Sequence, residues 1–242
     1  NIKGAAINVE KILPTSPLTS TNITLQAKGR YDANATDTPL PLSGTIYGEA
    51  TMANLLGYEY QSIRLEGEYS PEKAEADINI YDPNARIVLE AKYQQGERMP
   101  RYDIDLKADS VDLHALKLID IHEGKSFSTR LEGVLHGNDL DHLIGKIEID
   151  NITMHRGEDD YNTGEVIIAS NEIEKKSISI SSQFLDANFV TDFDYKDLVA
   201  NLSDHIRRYL PSLNSTKTAL ASNTDYKDCY VQLWVRDAAP FR

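Results

Sequence analysis

Cysteine is nearly missing from this chain: Cys229 stands alone among 242 residues. No internal disulfide framework can form, which excludes the small, stapled extracellular domain. Its neighbours Tyr230 and Val231 point to a buried thiol. Equally missing is any run near the roughly 20 apolar residues of a spanning helix. Basic residues are short too, with 25 Lys and Arg against 38 Asp and Glu and a net charge of −13. That balance excludes nucleic acid, whose binding needs clustered cations, and charge-driven docking on an anionic bilayer. There is no phosphate-cradling GxxxxGK, no GxSxG elbow and no HExxH pair, so no catalytic residue and no cofactor is assigned. His136 and His142 flank a turn with Asp139 and Asp141, and loop polarity accounts for them without a metal. Glu158, Asp159 and Asp160 lack the spacing of an EF-hand.

What is present is alternation. In SIRLEGEYS, Ile63, Leu65, Gly67 and Tyr69 fall on one face and Arg64, Glu66 and Glu68 on the other. AEADINIYD puts Ala76, Ile78 and Ile80 in phase, RIVLEAKY puts Ile87, Leu89, Ala91 and Tyr93 in phase, and YDIDLKAD does the same with Tyr102, Ile104, Leu106 and Ala108. A period of two means strands with one wet face and one apolar face. Turn residues such as Asp82-Pro83-Asn84 join them, so neighbours run antiparallel.

The pattern continues through most of the chain. Edge-strand character is expected over 1–12, a strand over Asn22 to Tyr31, and another from Gly44 to Thr51. Met52 to Tyr60 reads as a turn with a little helix. Asp112 caps a short turn that sends Leu113, Leu116 and Leu118 or Ile119 inward. Leu131 and Leu135, Ile147 and Ile149, Val166 and Ile168, and Ile178 and Ile180 mark later strands, with a hairpin loop over Arg156 to Gly164. One helix is expected at 195–210, where Tyr195, Leu198, Val199, Leu202 and Ile206 recur at helical spacing before Pro211. Glycines within strands, Gly44, Gly67, Gly133 and Gly145 among them, mark bends or close approaches.

The expected fold is therefore all-β: a long, antiparallel, curved sheet forming a groove, with one amphipathic helix. A first ladder covers 1–109 and a second covers 110–242. The candidate apolar lining is Ile63, Leu65, Ile78, Ile80, Ile87, Leu89, Ile104, Leu106, Leu131, Leu135, Ile147, Ile149, Ile178 and Ile180.

The phrases LSGTIYGEA, SIRLEGEYS, DPNARIVLEAKY, LEGVLHGNDLDHLIGKIEIDNITM and KSISISSQFLDANFVTDFDYKDL resemble the AsmA-like/TamB proteins of Gram-negative envelopes, in their Bacteroidetes-type form. The likeness runs from Leu42 to Leu213. It implies an internal segment of a longer periplasmic protein, anchored in the inner membrane by a segment outside this chain. Its groove would carry phospholipid acyl chains between the two membranes, in support of outer-membrane biogenesis. The resemblance also implies an Omp85-type outer-membrane partner reached through other regions. Two other readings remain open: an assembly scaffold that engages outer-membrane proteins at its sheet edges, and a surface adhesin or glycan-binding sandwich.

Overall fold

The computed structural model describes residues 2–8, 18–32, 42–118, 125–139, 142–157, 159–172, 175–191 and 229–236. They form β1 (Ile2–Asn8), β2 (Leu18–Tyr31), β3 (Leu42–Leu55), β4 (Tyr58–Tyr69), β5 (Lys73–Asp82), β6 (Ala85–Gln94) and β7 (Arg101–Val111). They continue as β8 (Lys125–His136), β9 (Ile144–Arg156), β10 (Asp159–Asn162), β11 (Val166–Glu172), β12 (Lys176–Ser182), β13 (Leu185–Thr191) and β14 (Cys229–Val235). All belong to one antiparallel, curved sheet that does not close on itself. The order follows the chain from β1 to β9, then β11 to β14, while β10 folds back on β9 alone. From β3 to β7 short turns force this meander, since each strand finds its predecessor before anything else. The helix expected at 195–210 lies outside the described residues.

Two expectations are corrected. Met52 to Tyr60 holds no helix: β3 runs to Leu55, and Leu56 and Gly57, both with positive φ, turn the chain straight into β4. The loop expected over Arg156 to Gly164 contains a strand, β10, paired with β9 from Asp159↔Arg156 to Asn162↔Thr153.

Strict alternation does not hold along whole strands, and the structure shows how the apolar face survives this. Tyr60 and Ile63 are an odd number of residues apart, yet both pack into one apolar cluster. Between them Ser62 adopts φ 49° while β3 and β4 stay in register from Ala50↔Ile63 to Met52↔Gln61, and the slip falls between β2 and β3, where Asn22↔Met52 gives way to Ile23↔Ala50 and leaves Thr51 over. A residue absorbed in a bulge shifts the phase by one and returns the apolar set to its original side. Ser110, at φ 52°, does the same between Ala108 and Val111, and a third slip separates Arg130 from Leu131 where β8 meets β9.

The close approaches expected of the strand glycines are visible at two of them. A Cβ on Gly44 would sit 2.2 Å from the Lys28 carbonyl oxygen, and one on Gly145 would sit 2.1 Å from that of Val134. Neighbouring backbone fills the space that a side chain would need.

Candidate functional site: an apolar sheet face

Strand register arranges the apolar side chains in rows that cross the sheet at right angles to the strands. One row joins Ile63, Ile80 and Ile87, in direct register with Ala50 on one side and Ala108 on the other. The next joins Leu65, Ile78, Leu89, Leu106, Leu131 and Ile149, each opposite the last. A third passes through Gly67, Ala76, Ala91, Ile104, Gly133 and Ile147 and continues through Ile168 to Ile180. The fourth contains Tyr69, Ala74, Tyr93, Tyr102 and Leu135, and reaches Ile178 through Gly145 and Ser170. Direct cross-strand partners share a face, so all fourteen candidate lining residues stand on one side. Each of them is half-buried.

Among the described residues a cover is seen over one end of this face, and at the far strands Ala187, opposite Ile180, and the facing pair Lys176 and Thr191 are buried as well. The turn after β7 folds over the first row, and Tyr60, Ala85, Val111 and Leu116 form a buried cluster there. Leu116 is 1% exposed, while Leu118 of the same turn is 45% exposed and points away. Asp112 holds the turn as a cap, its Oδ1 accepting from the N–H groups of His114 and Ala115 at 3.1 and 2.9 Å. Lys117 reaches across the sheet and donates from Nζ to the Gly57 carbonyl at 2.7 Å. Beneath the cluster the buried Asp82 carboxylate accepts from Tyr58 Oη (2.6 Å), Gln61 N (2.9 Å) and Asn84 N (2.9 Å).

Beyond the turn the face carries two adjoining apolar hollows. One of about 580 Å³ lies over Ala27, Gly44, Ile46, Leu65, Gly67 and Ala76. The other, of about 430 Å³, lies over Ala76, Ala91, Tyr93, Tyr102, Ile104 and Leu135. Small side chains in the third row make the floor. The tyrosines of the fourth row make a rim, with the rings of Tyr93 and Tyr102 5.5 Å apart. Partial burial, with Tyr102 and Tyr69 nearby, holds the Tyr93 hydroxyl above its ordinary pKa and so neutral.

The opposite face is wet and acidic. Glu66, Asp77, Glu90, Asp105, Glu132 and Glu148 lie directly opposite one another across six neighbouring strands. Like charges in this register repel, and flanking cations offset them: Arg64 on Glu66 at 2.5 Å, Arg130 between Asp105 (3.3 Å) and Glu132 (2.8 Å), and Lys146 on Glu148. These pairs are exposed and each contributes little to stability. The row depends on register and cannot be read from any one strand.

A second arrangement is equally hidden in the sequence. Ser128 Oγ lies 3.0 Å from His155 Nε2, and His155 Nδ1 lies 2.7 Å from Asp160 Oδ1. The order is that of a nucleophile, base and orienting acid. Asp109 Oδ1, however, accepts from the same Ser128 hydroxyl at 3.2 Å, and the Ser110 N–H occupies its oxygen at 3.0 Å. A carboxylate beside the nucleophile competes for its proton and opposes the charge it must develop. The group acts as a polar clasp that ties β7, β8, β9 and β10 together.

His136 and His142 are not brought together with a shared partner. His142 Nδ1 meets Asp139 Oδ1 at 2.7 Å, which holds the imidazole above its ordinary pKa. Among the described residues no three His, Cys, Asp or Glu side chains are placed to hold a metal ion. The neighbours expected to bury Cys229 are themselves exposed, Tyr230 at 57% and Val231 at 38%.

The chain matches no protein-family model, no curated protein and no solved structure.

Proposed function

We propose that this chain is a section of a lipid-conducting β-groove of the AsmA-like/TamB kind, working in the periplasm, with phospholipid acyl chains as its cargo. One observation carries the reading: from β2 to β9, beyond the turn at 112–118, a continuous apolar face carries open hollows and no protein layer from the described residues. A bare apolar face of this extent is unfavourable in water, and acyl chains satisfy it. From β2 to β9, eight strands at about 4.8 Å spacing make a strip roughly 34 Å long. Each methylene withdrawn from water onto it gains about 0.8 kcal/mol.

The repeat of the rows supplies the means of movement. A chain lying across the strands exchanges one Leu or Ile contact for an equivalent one with each step, so no position holds it much more tightly than the next. None of the four rows contains a charged residue between β4 and β9, and the acidic row with its cations occupies the other face. The tyrosine rim suits the boundary between acyl chain and head group, since each ring offers an apolar body and a polar tip. Conduction of this kind uses no catalytic residue and no cofactor. Anchoring in the inner membrane and an Omp85-type partner belong to the same proposal and involve regions outside this chain.

Mass spectrometry of the protein purified from a Gram-negative envelope should find co-purified phospholipid. Leu89→Glu, placed mid-strip, is expected to lower the lipid content several-fold while circular dichroism still reports the sheet. Lipid-free protein from that source would overturn the proposal.

A further inference from the structure

A different feature, the outer edge of β14, which no described strand pairs, carries an inference that does not rest on the lipid reading. β14 is the last strand of the described path, pairing β13 from Leu185↔Val235 to Thr191↔Cys229. Among the described residues, five of the fourteen exposed large hydrophobics belong to it, including Leu233 at 60% and Trp234 at 52%. It is also the one described strand that bears no charged residue. Edge strands are ordinarily protected from further pairing by charge, proline or a bulge. This edge has none of them, in a chain whose other strands are studded with charge.

The backbone shows which groups are free. Arg236 donates its N–H to the Phe184 carbonyl at 2.8 Å. Alternate residues of an antiparallel strand turn their N–H and C=O to the same side. Tyr230, Gln232 and Trp234 therefore aim their backbone at β13, while Val231 and Leu233 aim theirs at the open edge.

We propose that β14 pairs antiparallel with β14 of a second copy, about a two-fold axis normal to the sheet through Gln232. In that register Val231 stands opposite Leu233 of the partner subunit, and the two outward-facing backbone units meet as a hydrogen-bonded pair. Tyr230 stands opposite Trp234 of the partner subunit, aromatic to aromatic on the other face. Gln232 meets its own counterpart. The strand is self-complementary on both faces, as an isologous contact requires. The axis keeps both apolar faces on one side, so the apolar rows line up from one copy into the next. A contact without charge also suits copies that each carry −13 and repel one another elsewhere.

The competing arrangement sets β14 against β1 of the next copy. All neighbours on the path of thirteen strands are antiparallel, so β1 and β14 point the same way and that contact would be parallel. Repeated, it would give an open fibre rather than a dimer. Pairing through seven residues makes a small interface, and such interfaces are weak.

Sedimentation equilibrium of the 242-residue chain should show a concentration-dependent dimer, and Leu233→Lys should raise its dissociation constant at least about tenfold. Gln232→Cys in a Cys229→Ser background tests the register without relying on that variant's folding. Facing residues of a non-hydrogen-bonded pair have Cα atoms about 4.5 Å apart, within disulfide reach. A covalent dimer should form on oxidation, with none from Glu90→Cys at mid-sheet in the same background. A chain monomeric at every concentration with no crosslink at 232 overturns the proposal, and so does an open series of higher oligomers.

Discussion

The two ends of the apolar face are built from the same residue types and end in different states. At the covered end, Ile63, Ile80 and Ile87 pack against Val111 at the end of β7 and Leu116 of the turn that folds over them. One row further along the strands, Leu65, Ile78 and Leu89 are half-buried like them but belong to no such cluster, and Leu65 lines a hollow. Composition does not separate the two regions. What separates them is a cap at Asp112, a turn short enough to double back, and a lysine that anchors on the far hairpin. The same side chains therefore make a core where a cover is supplied and a surface where it is not.

The largest test of this contrast exchanges one leucine at each end. Leu116→Ala empties a fully enclosed site and is expected to cost about 2–5 kcal/mol in urea unfolding. Leu89→Ala, half-buried with an open side, is expected to cost less than half as much. Equal costs would mean that the open rows are packed as tightly as the cluster.

Next in size is the polar support under the covered end. Asp82→Ala leaves Tyr58 Oη and two backbone N–H groups without their acceptor at a site 5% exposed. A loss of roughly 1–3 kcal/mol is expected from equilibrium unfolding. The smallest effect lies at the opposite, uncovered end, where His142 meets Asp139. The folded imidazole is held above its ordinary pKa, so the pair stabilises the fold at low pH, and that contribution is lost as pH rises through the raised value. Asp139→Asn should therefore lower the melting temperature slightly at about pH 5.5 and leave it unchanged at about pH 8.5, on either side of the histidine titration.

The sequence carries the strands and the face because both arise from a two-residue period, and Asp82-Pro83-Asn84 marks its turn plainly. It does not carry the bulges. Thr51 and Ser110 look like ordinary polar positions on alternating strands, and only pairing reveals that a residue is absorbed at each and shifts the phase. That is why Met52 to Tyr60 reads as irregular: its alternation is intact but out of step with that of Ile63 to Tyr69. The acidic row from Glu66 to Glu148 and the contact of Ser128 with His155 need strand neighbours, which register decides. Asp112 as a cap and Leu116 as an inward residue were readable locally. That their turn covers Ile63 and Ile87, rather than another part of the sheet, was not.

One contact changes how the molecule comes apart. In a meander each strand touches only its predecessor and successor, so the sheet is close to a one-dimensional chain of interfaces that can open from either edge, hairpin by hairpin. The Lys117 ammonium on the Gly57 carbonyl joins points 60 residues apart and, with the cluster around Leu116, binds β4 to β7 into a single cooperative block. Amide hydrogens there should exchange only when the whole block opens, while β1, β2 and β11 to β14 should fray independently on either side.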